Sequence, residues 1–578
     1  MRLIFRYMKP YWRIILFGIV LKLIATMTEL MIPYILEHLI DEVVPRGDRY
    51  GIWLWGGLMI VFAVLTWLGN IKANRTAIDN AHNISYDVRR DLFNKTISLC
   101  GAKFDEFGLP SLTSRMTSDS YNVQNFVRAL QTLCIRAPIL LLGGIVVTMT
   151  MDPVLSGILC AMVPILLVVV VTISRKGIPL YRNVQQRLDD VIRSMRENIS
   201  GIRVVKALSK TEYEMKRFHG YNQAMTDADI RTSTFMAIPS PFMQLCLNVG
   251  LTLVVYVGAV RVNSGAMKSG VILAFLTYFN LVMQSIMAIN RMFMMVSKAS
   301  ASAGRIDQVI QAQEGLPVQE MAEKPESDAF ITFFNVNFSY YKPGEHEKGA
   351  REQCLYDINF KLNRGESLGI IGPTGCGKTT IINLLMRFYD VDSGQICIDG
   401  KDVRSYEKDS LHSRFGVAFQ NDIVFQDSLR ENIAFGRELS DEELRKAVVE
   451  AQAAEFIDSL DDGLDHMAAI KGGNLSGGQK QRLLIARALA GNPEILILDD
   501  SSSALDYKTD AQLRKAIFDR HNDSATIMVA QRVSSVMGMT NILVLDDGRC
   551  IGYGPHEKLM ETCPEYRDIY NAQMGALD

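Results

Sequence analysis

The chain has 578 residues, enough for several domains. Its formal net charge of −2 excludes a global basic field for nucleic acid. A mean hydropathy of +0.10 with 48% hydrophobic residues is high for a soluble protein in which 21% of residues are charged. That average hides a split: long uncharged runs lie before about residue 300, and ordinary soluble composition follows residue 329. The nine cysteines (100, 134, 160, 246, 354, 376, 397, 550 and 563) form no C-x-x-C pair, which points to free thiols in a reducing cytosol or in lipid. None of the eight histidines sits in a metal-binding pattern.

A membrane span needs about 20 apolar residues. The runs 51–70, 235–260 and 269–290 carry no charge. Residues 137–174 carry only Asp152, followed by Pro153, which predicts two spans joined by a very tight turn. A further span at 14–36 embeds Lys22 and Glu29. Six transmembrane helices are therefore expected, near 14–36, 51–70, 126–150, 153–174, 235–260 and 269–290. Nothing resembles a signal-peptide cleavage site. Lys and Arg concentrate before the first span, between spans two and three, and between spans four and five. By the positive-inside rule both termini are cytoplasmic. The two long basic segments are helix-periodic; Val184, Leu188, Val191, Ile192, Met195, Ile199 and Ile202 share one helical spacing. Spans two to five thus read as long helices that continue past the bilayer.

Residues 311–328 are polar, acidic and Pro-containing, and read as a linker between a membrane domain (1–310) and a second domain (329–578). Residues 372–380, GPTGCGKTT, match the phosphate-cradling loop G-x-x-x-x-G-K-[ST]. Gly372, Gly375 and Gly377 let backbone N–H groups turn inward around phosphate oxygens. Lys378 would reach the β- and γ-phosphates, and the Thr379 hydroxyl would bind Mg²⁺. Thr374, Cys376 and Thr380 complete the loop; Cys376 reads as a small filler whose alkylation should block nucleotide by bulk. The context fits: a buried strand over 366–371 precedes the loop, and a helix over 380–386 presents its N-terminus to the anion. Downstream, 475–479 (LSGGQ) precede a helix, and 495–500 (ILILDD) form a buried strand ending in acids. Asp499 would hold the Mg²⁺ shell. Residues 503–506 (SALD) follow, and Gln420 comes after a strand at 415–419.

In that order behind six spans, these motifs resemble an ABC transporter of the exporter type, and the resemblance covers essentially the whole chain. It implies a six-helix all-α transmembrane domain with long cytoplasmic extensions, fused to an α/β P-loop ATPase domain with a helical subdomain. It also implies an ATPase coupled to transport. Two half-transporters would dimerise and sandwich ATP between the Walker A loop of one and Leu475, Ser476, Gly477, Gly478 and Gln479 of the other. The N–H groups of Ser476, Gly477 and Gly478 at a helix N-terminus suit a γ-phosphate. By resemblance, Tyr340 stacks on adenine, Gln420 touches Mg²⁺, and Ser503 and Asp506 belong to the D-loop. Stretches near 111–118 and 209–216 resemble the coupling helices. The charged stretch 341–353 is longer than usual for the family and reads as a solvated hairpin loop.

Two positions depart from the family pattern. The Glu that polarises the attacking water is Asp500 here, one methylene shorter, and the His that contacts the γ-phosphate is Gln531. Both belong to the site built on this chain's own phosphate loop, while LSGGQ is intact. That asymmetry resembles the degenerate-site subunit of a heterodimeric bacterial multidrug exporter in a plasma membrane. The expected partners are a second half-transporter, membrane lipids and a small amphipathic substrate. A homodimer with a slow enzyme is the alternative. Lys22 and Glu29, seven apart on one helix face, read as a pair or water-lined face, or as a cation site at Glu29. Met283, Met287, Met292, Met294 and Met295 read as ordinary packing or as an adaptable apolar surface. Lipid, peptide or thiol transport, or a non-pumping ATP-sensing subunit, remain alternatives.

Overall fold

The structure is a computed structural model that describes residues 1–319, 328–341, 351–420, 423–501 and 505–574; side chains at 167, 170, 171, 173, 174, 178, 239, 240 and 290 lie outside the description. The chain divides into two compact units. One comprises Met1–Lys95 and Pro110–Gln311, and the other Thr96–Leu109 and Ala312–Asp578.

The first unit is helical. In hydrocarbon every backbone polar group must be satisfied within its own segment, which a helix does. Among the described residues five helical stretches are long and apolar enough to cross a membrane: Arg2–Val43, Arg49–Ser98, Leu109–Met151, Thr211–Asn263 and Ser269–Ile310. The helix Pro153–Ser200 opens with a shorter apolar stretch, Pro153–Leu166; part of the expected span 153–174 lies outside the described side chains.

Two acids explain how these helices begin. Asp41 sits in a π turn, Leu39–Val43, and is buried. Its carboxylate accepts from the backbone N–H groups of Gly270 (2.5 Å) and Val271 (3.2 Å). These belong to the first turn of Ser269–Ile310, where a helix has no internal acceptor to offer them. Asp152 does the same at the predicted tight turn. Helix Leu133–Met151 stops there and Pro153 starts the next, its fixed φ suiting the first helical position. One oxygen of Asp152 accepts from the N–H groups of Val154 (2.9 Å) and Leu155 (3.0 Å); the other pairs with Arg261 at 3.0 Å.

Among the described residues the second unit is built on ten strands: β1 (Ile331–Tyr341), β2 (Arg351–Leu362), β3 (Ser367–Ile371), β4 (Ser393–Ile398), β5 (Lys401–Asp402), β6 (Phe415–Ala418), β7 (Ile495–Asp499), β8 (Ala525–Val529), β9 (Asn541–Asp546) and β10 (Arg549–Gly554). Their order is β5-β4-β1-β2-β10-β9-β3-β8-β7-β6. The stretch from β9 through β3, β8 and β7 to β6 is parallel. β7 is buried at every residue, as a strand covered on both faces must be. Ile495 and Ile497 join one apolar cluster with β1 and β2 residues. Leu496 and Leu498 join the other, with the helices Asp441–Glu450 and Gly477–Leu489. That split is the two-residue side-chain period of a strand.

The stretch 111–118 lies in the helical unit; the segment that joins the sheet unit is Thr96–Leu109, with its helix Gly101–Phe107. The start of the expected linker is docked: Gln319 N–H donates to the Arg404 carbonyl (2.8 Å), and Arg387 donates to the Pro317 carbonyl (2.6 Å). Residues 320–327 lie outside the described residues, as do 342–350 of the charged stretch. The strands flanking the latter pair, with Tyr341 opposite Arg351.

Candidate functional site

Parallel α/β sheets place their ligands outside the carboxyl ends of the strands. Here four such ends converge. β3 runs into the phosphate loop, β6 into Gln420, β7 into Asp499 and Asp500, and β8 toward Gln531. Backbone bonds hold the ends in register: Asp500 N–H donates to Val529 (3.0 Å), and Ala530 N–H donates to Ile370 (3.1 Å). Together with Thr374, Gly375, Gly377, Lys378, Thr379 and Thr380 they line a cavity of about 200 Å³.

The loop needs its glycines for two distinct reasons. Gly377 has φ +100°, which an L side chain rarely adopts. A Cβ on Gly372 would stand 2.1 Å from the Leu545 carbonyl oxygen, so only glycine fits that approach. Lys378 Nζ donates to the carbonyls of Gly372 and Pro373, each at 2.8 Å. Cys376 is buried, in keeping with its filler reading, and burial pushes its thiol above the ordinary range.

Thr379 Oγ1 donates to Asp499 Oδ2 at 3.1 Å. A hydroxyl and a carboxylate oxygen meeting at the mouth of a phosphate loop are a hard-cation donor set, so this corner fits Mg²⁺. Burial, and then the neighbouring Asp500, push the Asp499 carboxyl up, while Thr379 and Lys378 oppose this.

Asp500 has φ +48°, a left-handed conformation that Asp tolerates better than most residues. Its Oδ2 accepts from Gln531 Nε2 (2.8 Å) and Gln420 Nε2 (3.1 Å). Burial raises the Asp500 carboxyl; the Gln531 amide is the largest opposing influence. A folded-state pKa above the unfolded value means the folded protein holds the proton more tightly. The stability this confers is full below the unfolded pKa and is lost as pH rises through the folded one. Asp500→Asn is therefore expected to raise the melting temperature of the nucleotide-free protein at pH 8 more than at pH 5. Thermal melts of both proteins at the two pH values check this.

The LSGGQ stretch carries its own helix cap. Ser476 caps helix Gly477–Leu489 in a reciprocal box: Gln479 N–H donates to Ser476 Oγ (3.3 Å), and Ser476 N–H donates to Gln479 Oε1 (2.8 Å). The Ser476 N–H is thus already engaged, which leaves Gly477 and Gly478 in the first turn to meet an anion. Leu475 is buried in the apolar cluster behind them. Asp506 caps helix Tyr507–Arg520 through Thr509 N–H at 2.9 Å, and that bond lowers its carboxyl. Ser503 lies outside the described residues. Sequence reasoning missed Gln481, whose side chain donates to the Asp500 carbonyl at 3.3 Å and ties the helix after LSGGQ to the acid pair.

Tyr340 is half-buried beside the loop, its hydroxyl donating to Thr380 Oγ1 at 3.4 Å. In the helical unit, Glu29 does not meet Lys22. Arg136 takes it in a bidentate pair at 2.6 and 3.2 Å. Lys22, buried, donates to Asn70 (2.6 Å) and Asn74 (3.1 Å). A cation at Glu29 would have to compete with Arg136.

The ABC transporter transmembrane region family matches residues 15–286, and the ABC transporter family matches residues 355–503. An uncharacterized ABC transporter ATP-binding protein of Bacillus subtilis (strain 168), YfiB, is 33% identical over 98% of both chains. The chain is an ABC transporter. An ATP-dependent lipid A-core flippase of Desulfotalea psychrophila (strain LSv54 / DSM 12343) is 29% identical over 93% of both chains. Among solved structures, a bacterial Atm1-family ABC exporter with ATP bound superposes with a TM-score of 0.80, covering 97% of this transporter and 99% of that chain at 23% identity. The transporter is a multi-pass membrane protein with the exporter fold, membrane and ATPase domains fused in one chain. Its ATPase domain uses ATP with Mg²⁺ and couples hydrolysis to transport.

Proposed function

We propose that this transporter is one half of a heterodimeric exporter that moves amphipathic small molecules across a bacterial plasma membrane. It crosses that membrane six times, with both termini in the cytoplasm. Its own phosphate loop forms a site that binds ATP and hydrolyses it slowly, and its Leu475–Gln479 stretch serves the partner's competent site. The observation that carries this reading is the Asp500 carboxylate held by two amides. A base must be free to polarise water. Here the shortened acid is occupied by Gln420 and Gln531, which engage the oxygen that a water would need. Gln531 also lacks the charge that a His could bring to a γ-phosphate.

A second subunit is supported by unburied apolar surface. Of the stripe beyond the fourth span, Ile192, Met195, Ile199 and Ile202 are 43%, 45%, 69% and 47% exposed. These positions lie past the predicted bilayer, so a partner's helices and not lipid are their natural cover. The test is ATP-driven accumulation of a fluorescent amphipathic dye in inside-out vesicles carrying the assembled pair. Dye accumulation that stops when ATP is withheld is expected. ATP binding without movement of any substrate would favour the ATP-sensing alternative.

One observation favours a second cargo. With Glu29 neutralised by Arg136, Lys22 leaves one positive charge in excess on that face. An anionic amphiphile would complement it better than a cation. Two flippases of lipid A-core are among the relatives at 28–29% identity. ATP-dependent flipping of a labelled anionic phospholipid, weakened by Lys22→Gln, is the outcome that distinguishes this cargo from a neutral or cationic drug.

A further inference from the structure

Helix Gly101–Phe107 belongs to the sheet unit, although in sequence it falls between two membrane stretches. Its Asp105 Oδ2 accepts a hydrogen bond of 2.5 Å from the Tyr389 hydroxyl. Gly101 fits against the same turn: a Cβ there would stand 2.9 Å from the Phe388 carbonyl oxygen and 3.0 Å from Tyr389 Cζ. Tyr389 is therefore gripped at its hydroxyl end by this one helix. Burial and Asp105 both raise its pKa, so the phenol stays protonated and keeps donating.

The Tyr389 ring also meets Tyr340. Their centroids are 5.2 Å apart with planes at 85°, an edge-to-face pair. Phe338 closes on Tyr340 from another direction, at 4.7 Å and 87°. The Tyr340 hydroxyl reaches Thr380 at the phosphate-loop helix. Beside this aromatic group lies a cavity of about 520 Å³ lined by Asp105, Tyr340, Glu352, Gln353, Tyr356 and Gly375. It adjoins the phosphate loop at Gly375 and has the size of a nucleoside pocket.

We infer that Asp105 and Tyr389 are positioning residues for the nucleotide base: through the Tyr389 hydroxyl and ring they set the plane of Tyr340, so that base affinity and the placement of helix Gly101–Phe107 depend on each other. The inference rests on the reading of Tyr340 as the base-stacking aromatic. An edge-to-face pair has a preferred angle, so releasing the Tyr389 hydroxyl lets both rings turn. Coupling of this kind is reciprocal: whatever orders Tyr340 orders the helix, and whatever moves the helix alters the base site. The chain on both sides of that helix runs directly into membrane stretches.

The test compares two ligands of the full-length transporter in lipid nanodiscs, radiolabelled ATP and inorganic tripolyphosphate, each with Mg²⁺. Tripolyphosphate fills the phosphate loop and lacks the base. Tyr389→Phe and Asp105→Ala are each expected to weaken ATP binding about 3- to 10-fold. Both should leave tripolyphosphate binding within about twofold of wild type, the scatter allowed for independent sites. Asp105→Asn, which keeps a neutral acceptor, should fall between. The Asp105→Ala/Tyr389→Phe double variant should be no weaker than Tyr389→Phe alone, because both act through one hydrogen bond. Equal loss of both ligands would mean the contact only holds the domain together, and additive losses would break the proposed chain; either overturns the inference. Wild-type protein binding ATP no better than tripolyphosphate would remove base stacking at Tyr340 itself. Wild-type preference for ATP with Tyr389→Phe unchanged would remove this inference alone.

Discussion

Asp500→Glu combined with Gln531→His is expected to raise ATP hydrolysis by the purified transporter by on the order of 10²-fold or more. The added methylene carries the carboxylate forward by on the order of 1 Å, toward where water would attack the γ-phosphate, and a displacement of that size alone can change rate by ~10²-fold. It also draws the carboxylate away from the Gln420 amide that holds it now at 3.1 Å, and Gln531→His removes the second amide, now at 2.8 Å. The imidazole adds a group able to carry charge beside the phosphate. The effect should fall on kcat with little change in KM, because the phosphate loop and Tyr340 are untouched. Steady-state kinetics of wild type, each single variant and the double variant would show it. Unchanged turnover in the double variant would mean that a step other than water activation limits this site.

The second large effect is expected at the other end of the sandwich. Gly477→Asp should cut hydrolysis by the assembled pair by more than about 10²-fold, the usual cost of losing a preorganised anion site. Gly477 opens helix Gly477–Leu489, where the N–H groups and the helix dipole favour an anion. A carboxylate there would occupy that site with its own negative charge. The Ser476–Gln479 capping box would survive, so the helix and the melting temperature should change little. Asp500→Asn, in the slow site, should reduce turnover of the same pair less than twofold, since one competent site remains. The reverse ranking, with Asp500→Asn the more damaging, would place the working site on this chain's own phosphate loop.

The chemistry of the nucleotide site was legible because its residues come in contiguous motifs whose strand and turn contexts are local. The stretch 372–380 turns as its glycines require, and Thr379 and Asp499 meet although they are 120 positions apart, because parallel strands deliver both to the same edge. The turn at Asp152 and Pro153 was equally readable, since one residue caps and the next cannot continue a helix. What stayed hidden is pairing between distant segments. Arg136 stands one position before a long uncharged run, and no local pattern says that it reaches Glu29. Asp105 and Tyr389 are separated by 284 positions, and only the docking of Gly101–Phe107 unites them. The engagement of Ser476 N–H was readable after all: S-x-x-Q is a capping box, and its second half takes the donor that a phosphate had been given.

The most direct test of the central claim is steady-state ATP hydrolysis, with assembly mass, of this transporter purified alone in lipid nanodiscs. The account predicts tight ATP binding with little or no hydrolysis, and activity that appears when a half-transporter bearing Glu and His at the corresponding positions is co-expressed. Brisk turnover from a homodimer would contradict it: Asp500 and Gln531 would then suffice for catalysis, and the slow-site reading would fall.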